Sequence, residues 1–174
     1  MQIIINHLTR MGPPRICVAG VDASTLKHVR PTTPPSDLIT RELLVANGGP
    51  FAIGALVDLG ETRPQPNAPE VEDHGFTTAQ AAHVEQLTGE EYASVLEEIS
   101  SDTLEGAMGP ELKPMSNRKW AVTTGAGTRS LAVLTPQGRP SAEDRVRQAA
   151  PASELPRCGG EPQRRRHAVL RQRP

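Results

Sequence analysis

Apolar residues in the first sixty positions form short runs that are separated by proline and glycine. The β-branched and other apolar residues of 2–6, 15–22 and 51–59 predict three strands. Residues 27–30 predict a fourth, short strand, which returns from a turn at 23–26 and stops at Pro31. The small Ala19-Gly20 pair predicts a bulge or a close contact between strands.

Helical spacing prevails in the middle of the chain. Ser36 is a candidate N-cap for a helix that stops at Asn47-Gly48-Gly49. Thr77 or Thr78 can cap a second helix through about Leu87. Thr88 and Glu91 form a T-x-x-E capping box, which predicts a third helix whose apolar face holds Tyr92, Val95, Leu96 and Ile99.

Short elements are expected after this helix. Ser101 is a candidate cap for a brief helical turn that holds Leu104 and Met108. Residues 120–124 and 130–134 predict two strands joined by a Gly125-Ala126-Gly127 turn. The order of elements predicts a mainly β (α+β) fold, a small, partly open β-barrel with helices inserted. An α+β sandwich with helices on one face is the alternative.

Charge is divided unevenly along the chain. Residues 1–135 contain 10 lysine and arginine residues against 16 aspartate and glutamate residues, a formal charge of −6, whereas residues 136–174 contain 9 against 4, a charge of +5. The second segment has six prolines, no lysine, no aromatic residue and no apolar period. We interpret it as a disordered basic tail, or as a GC-rich gene read out of frame from near residues 130–140.

Basic residues at two predicted strand ends are the first candidate site. His7 and Arg10 lie at the first loop, and His28 and Arg30 lie on the returning strand after Lys27. An arginine and histidine cluster beside a barrel mouth can bind a phosphate or a carboxylate. The alternative is that these charges protect an exposed sheet edge.

Carboxylates and an imidazole at residues 70–74 are the second candidate. Glu72, Asp73 and His74, joined by His7, could act as a general acid and base or bind a divalent metal whose identity the sequence leaves unknown. The alternative is an acidic loop whose charges complement a helix start. Cys17 is most simply a small buried hydrophobic residue, and Trp120 is expected in the core rather than stacked on a base.

Several segments in a fixed order carry a family resemblance: I-I-N-H, I-C-V-A-G-V-D, K-H-V-R-P, G-G-P-F-A-I-G-A-L-V-D-L, P-x-x-E-D-H and T-G-x-G-T-R-S-L. Over about residues 2–134 the chain resembles bacterial proteins described as dual OB domain-containing. The resemblance implies two small OB-like barrels with a helical segment between them: a first barrel with a short helix over 1–75, the helical segment over 76–113 and strands of the second barrel over 114–135. This chain departs from the family in that the closing strands of the second barrel are replaced by the basic tail. It also implies a role related to nucleic acids or nucleotides, with no established activity. The family's histidine before the Glu-Asp pair is replaced here by Glu70 or Val71.

The functional expectation is noncatalytic binding of nucleic acid or a nucleotide, without a cofactor. A metal-dependent or phosphoesterase-like enzyme and a protein-interaction module with a protein partner are the alternatives. Residues 1–6 fall far short of a signal-peptide core, and no run approaches about 18 apolar residues, so the sequence predicts a cytoplasmic protein without a membrane span.

Overall fold

The computed structural model describes residues 1–115, 120–123 and 125–135. Its main feature is a seven-stranded sheet, and smaller elements follow it along the chain. The sheet strands are β1 (Gln2–Arg10), β2 (Ile16–Asp22), β3 (His28–Thr32), β4 (Ala55–Asp58), β5 (Arg63–Pro64), β6 (Asp73–Gly75) and β7 (Ala82–Gln86). The later elements are α1 (Gly89–Ile99), β8 (Ser100–Ser101), α2 (Leu104–Met108), β9 (Lys113–Pro114), β10 (Trp120–Ala121) and β11 (Val133–Leu134).

The strand order in the sheet is β5-β6-β3-β2-β1-β4-β7. β3 and β6 run parallel, and the other neighbouring strands are antiparallel. Since β5 and β7 are the two edges, the sheet is open. Because strands outnumber helices among the described residues, the prediction of a mainly β fold is confirmed. Among the described residues, no helix combines the length and apolar character that crossing a bilayer requires.

Alternate residues of the central strands build the core, as a period of two requires. Phe51 and Phe76 close it with an edge-to-face contact at 6.4 Å between ring centroids. The opposite face is also covered at its centre, where the paired residues Ile4 and Val21 are buried. Fully or almost fully buried core side chains include Ile3, Ile5, Val18, Val29, Val57 and Leu59.

The predicted close contact at Gly20 is confirmed. A Cβ atom there would lie 2.3 Å from the carbonyl oxygen of Ile4 on β1. Any side chain at this position would therefore push the two central strands apart. A bulge between Ile5 and His7 shifts the register of the same strand pair.

The expectation that Pro31 ends the returning strand is wrong. Pro31 lies inside β3, opposite His74 of β6. The registered pairing of β3 with β2 stops at Val29 opposite Gly20, so the missing N–H of Pro31 costs no bond to β2.

The α-helix predicted from Ser36 to Asn47 is also wrong. This segment contains two 3-10 turns, Arg41–Leu43 and Val45–Asn47, separated by an extended Leu44. The Phe51 N–H donates to the Leu43 carbonyl, and the Val45 N–H donates to the Phe51 carbonyl. The segment therefore forms its backbone hydrogen bonds across a tight reversal of the chain, which a local helical pattern does not reveal.

The helix predicted from Thr77 or Thr78 to Leu87 is replaced by a 3-10 turn, Thr78–Gln80, and by β7. The N–H and hydroxyl of Thr78 donate to Asp37, a distant carboxylate. β7 then pairs with β4 along the edge of the sheet. Pairing across the sheet overrides the local preference, and the main sheet continues beyond the domain boundary expected at residue 75.

The predicted capping box at the start of α1 is confirmed, with both reciprocal bonds between Thr88 and Glu91 present. α2 begins at a Thr103 cap instead of Ser101. The expected hairpin of the last two strands does not form, because β10 pairs with β9 and β11 pairs in parallel with β8. Trp120 is 44% exposed, so its assignment to the core is wrong. The basic segment 136–174 lies outside the described residues.

Candidate functional site

A cleft of about 760 Å³ opens beside the turn between β2 and β3. The end of that turn contributes Lys27 and His28 to its walls, and the start of β6 contributes His74. The C-terminal end of α1 and the loop before β11 contribute Ile99 and Arg129. Elements far apart in sequence therefore bring two cationic side chains and two imidazoles to one concave surface.

The cleft also has apolar and acidic walls. Leu26, Val29, Val71 and Ile99 supply the apolar part. Three carboxylates, those of Asp22, Glu72 and Glu98, border the same space. Asp22 and Glu72 accept hydrogen bonds from nearby backbone and hydroxyl groups, which leaves Glu98 as the lining carboxylate without a donor among the described residues.

The turn that holds Lys27 and His28 is fixed by Asp22. Its Oδ1 atom accepts from the N–H groups and the hydroxyls of Ser24 and Thr25, at 2.6 to 3.0 Å. The Ser24 hydroxyl is the main reason why the pKa of Asp22 is lowered. An Asp side chain that bonds backbone groups two and three residues ahead stabilises a tight turn. The hairpin end therefore presents Lys27 and His28 from a defined backbone.

Burial lowers the pKa of His28, which lines the cleft from β3. The negative charge of Glu72 opposes this shift and the positive charge of Arg129 adds to it. Its imidazole is therefore mainly neutral at pH 7 and can donate one hydrogen bond and accept another. His74 Nδ1 lies 2.9 Å from the backbone oxygen of Glu72, which orients the second ring.

Glu72 attaches the loop before β11 to the main sheet. This carboxylate is 6% exposed. It accepts hydrogen bonds from the Ser130 N–H at 2.6 Å, the Ser130 hydroxyl at 2.7 Å and the Leu131 N–H at 3.2 Å.

The neighbouring Arg129 contacts the end of α2. Its Nη1 lies 3.4 Å from the Gly106 oxygen and 3.3 Å from the Ala107 oxygen. These contacts place Arg129 at the rim of the cleft.

Arg30, a predicted phosphate contact, is held by carboxylates. Its Nε lies 2.6 Å from Asp73 Oδ1, and its Nη2 lies 3.4 Å from Glu70 Oε1. Burial alone would lower the pKa of Arg30, but the hydrogen bond to Asp73 and the charges of Asp73 and Glu70 outweigh it and raise the pKa. The parallel pairing of β3 with β6 sets Arg30 directly opposite Asp73.

The other predicted basic residues lie away from the cleft. His7 is exposed on β1, and its Nε2 lies 3.2 Å from the Thr9 hydroxyl. Arg10 is opposite Ile16, whereas His28 is opposite Val21 on the same strand. Five residues of strand separate these positions by roughly 17 Å. Of His7, Arg10, His28 and Arg30, the structure therefore brings only His28 to the cleft.

Of Glu72, Asp73 and His74, the structure brings Glu72 and His74 to the cleft, whereas Asp73 does not line it. Glu72 bonds Ser130 and Leu131, while Asp73 bonds Arg30. Within the described part of the chain, no group of three or more histidine, cysteine, aspartate or glutamate side chains could hold a metal ion. Cys17 is half-buried rather than buried, and burial raises the pKa of its thiol.

Arg129 and Ser130 are residues that sequence reasoning missed as candidates. The available signal was the run G-A-G-T-R-S-L at 125–131, where glycines precede a threonine, an arginine and a serine. Glycine-rich backbone followed by hydroxyl and guanidinium groups is typical of anion-binding loops. From the sequence, these glycines predict a turn between two strands.

No family model, curated protein or solved structure matches the chain. The chemistry of the cleft is therefore the basis on which a function can be proposed.

Proposed function

We propose that this protein is a noncatalytic module that binds a nucleotide in the cleft. The observation that carries the proposal is the convergence of Lys27, His28, His74 and Arg129 on one cleft with apolar walls. Ammonium, guanidinium and imidazole groups are suitable donors for phosphate oxygens. The apolar side chains suit the faces of a base or a sugar. A volume of about 760 Å³ lies within the usual range for small-ligand sites.

A free nucleotide fits the charge distribution better than a long nucleic-acid strand does. Residues 1–135 have 10 basic and 16 acidic residues, a formal charge of −6 that opposes binding along an extended phosphate backbone. A single nucleotide needs only the few donors gathered locally in the cleft. The proposal includes an OB-like relationship for the open sheet, supported by the order of the sequence segments described above.

The test is fluorescence anisotropy of the full chain with a labelled mononucleotide and with labelled single-stranded and duplex oligonucleotides. Lys27→Gln is compared with Arg15→Gln, an exposed arginine outside the cleft whose substitution changes the charge equally. We expect Lys27→Gln to weaken mononucleotide binding about tenfold and Arg15→Gln to change it less than about twofold.

A salt series separates cleft binding from binding by the arginine-rich segment. Arg165→Gln removes one charge from that segment. One outcome is oligonucleotide binding that depends steeply on salt, weakens in Arg165→Gln and is unchanged in Lys27→Gln. In that case the arginines of residues 136–174 would bind the phosphates without the cleft. That result would refute the proposal.

A further inference from the structure

The buried carboxylate of Glu72 occupies an arrangement of donors that resembles an anion site. Oε1 receives the consecutive N–H groups of Ser130 and Leu131, at 2.6 and 3.2 Å. Oε2 receives the Ser130 hydroxyl at 2.7 Å. Successive backbone N–H groups with a neighbouring hydroxyl bind anions in many proteins. We call these three donors the Ser130–Leu131 cradle.

The loop that presents the cradle depends on glycine. Gly125 and Gly127 have φ angles of +79° and +92°, in the region that favours glycine. A Cβ atom on Gly127 would also lie 2.9 Å from Val122 and 3.1 Å from Pro69. The backbone thus runs close against its surroundings before it turns its N–H groups toward Glu72.

The cradle adjoins the cleft. Glu72 lines the cleft, as do Thr128 and Arg129, the two residues before Ser130. Lys27 and His28 contribute to the same walls. An anion in place of the Glu72 carboxylate would therefore meet the cradle donors on one side and the cleft's cations nearby.

We infer that the Ser130–Leu131 cradle is an anion-binding site that Glu72 fills as an internal ligand, and that it receives the phosphate group of a ligand when Glu72 withdraws. The inference deepens the proposed function and rests on it for the identity of the ligand as a nucleotide. A phosphate offers acceptor oxygens in place of those that leave. Withdrawal exposes a carboxylate and vacates three donors, so Glu72 competes with every anion that enters.

The test removes the internal ligand and measures binding of inorganic phosphate to the full chain by isothermal titration calorimetry at constant ionic strength. We expect Glu72→Ala to bind phosphate at least about tenfold more tightly than the unaltered chain. Adding Ser130→Ala to Glu72→Ala should reduce this gain, because one of the three cradle donors is lost. Glu98→Ala is the matched control, since it removes one negative charge from the same cleft without touching the cradle.

Equal phosphate affinities in Glu72→Ala and Glu98→Ala would overturn the inference, because the gain would then be a general effect of charge. If circular dichroism shows that Glu72→Ala does not fold, Glu72→Gln replaces it. This variant keeps one acceptor oxygen but adds an amide donor against the cradle, and should also bind phosphate more tightly than the unaltered chain. A folded Glu72→Gln without tighter binding would equally refute the cradle.

The results distinguish this inference from the proposed function. Tight phosphate binding by Glu72→Ala, together with no nucleotide binding by the unaltered chain, would support the cradle and refute the nucleotide. Nucleotide binding that weakens in Lys27→Gln but does not tighten in Glu72→Ala would support the proposed function and refute the cradle.

Discussion

The ion pair between Arg30 and Asp73 decides whether Arg30 stabilises the fold or contacts a ligand. The two side chains are 21% and 17% exposed, and their closest atoms are 2.6 Å apart. Arg30 also lies 3.4 Å from Glu70, which is 50% exposed. The pair joins β3 to β6 across their parallel ladder. We predict that breaking it lowers stability and leaves nucleotide affinity almost unchanged.

The magnitude follows from the burial and the charges. Asp73→Asn keeps the shape but loses a charge-assisted hydrogen bond, at a cost of about 2 kcal/mol. Arg30→Met leaves a largely buried carboxylate without its cation and costs about 3 kcal/mol. The contact with the more exposed Glu70 adds at most about 1 kcal/mol. If the double variant costs about 3 kcal/mol, the coupling energy of the pair is about 2 kcal/mol.

Urea denaturation followed by far-ultraviolet circular dichroism measures the free energy of unfolding of the unaltered chain, of Asp73→Asn, of Arg30→Met and of the double variant. Asp73→Asn should also lower Tm by about 4 to 8 °C. Arg10→Met is the control, since Arg10 is exposed and makes no ion pair with any described residue; it should change stability by less than about 0.5 kcal/mol. A coupling energy below about 0.5 kcal/mol would refute the structural assignment. Unchanged stability with about tenfold weaker nucleotide binding in Arg30→Met would instead support the phosphate contact expected from sequence.

Three further predictions concern pH, thiol reactivity and a helix cap. Burial lowers the pKa of His28 below 6.5, so near and below pH 6.5 the unfolded chain binds more protons at this residue than the folded chain does. The free energy of unfolding is therefore not reduced by His28 above about pH 6.5, and it falls as the pH drops. Urea denaturation from pH 5 to 8 should show a smaller slope in His28→Gln, and an unchanged slope would contradict the assignment. In a Cys158→Ser background, iodoacetamide at pH 8 should modify Cys17 at least about tenfold more slowly than in 8 M urea, because burial raises the pKa of the thiol; mass spectrometry showing equal rates would contradict this. Thr88→Ala should cost about 1 kcal/mol through loss of the α1 cap, whereas Thr88→Ser should cost much less; equal urea midpoints for the two variants would contradict the role of the cap.

Local chemistry explains the elements that were predicted correctly. The isoleucine run of β1, the apolar alternation of β2 and the capping box of α1 each depend on neighbouring residues within a few positions. Gly20 could also be identified from sequence, because only a small residue fits where two central strands approach closely.

The errors have a common physical origin. β7 carries a pattern that suits a helix, yet it forms a strand because β4 offers an unpaired edge. The segment before Phe51 satisfies its backbone by reversing on itself instead of continuing as a helix. In both cases the deciding hydrogen bonds join residues whose proximity is a property of the folded sheet.

The candidate site also combines residues that the sequence indicates with contacts that the sequence does not indicate. The residue types were visible in the sequence: basic side chains at 27–30, carboxylates at 70–73 and a glycine-rich run at 125–131. Their partners were not visible. The parallel pairing of β3 with β6 places Arg30 opposite Asp73, and the loop before β11 brings Ser130 within hydrogen-bonding distance of Glu72. Composition and short-range spacing are enough to predict a mainly β chain, its uneven charge and the capped helix α1. The folded chain is needed to establish which charges neutralise one another and which remain beside the cleft, because electrostatic and hydrogen-bonding partners are set by distance in space and by burial.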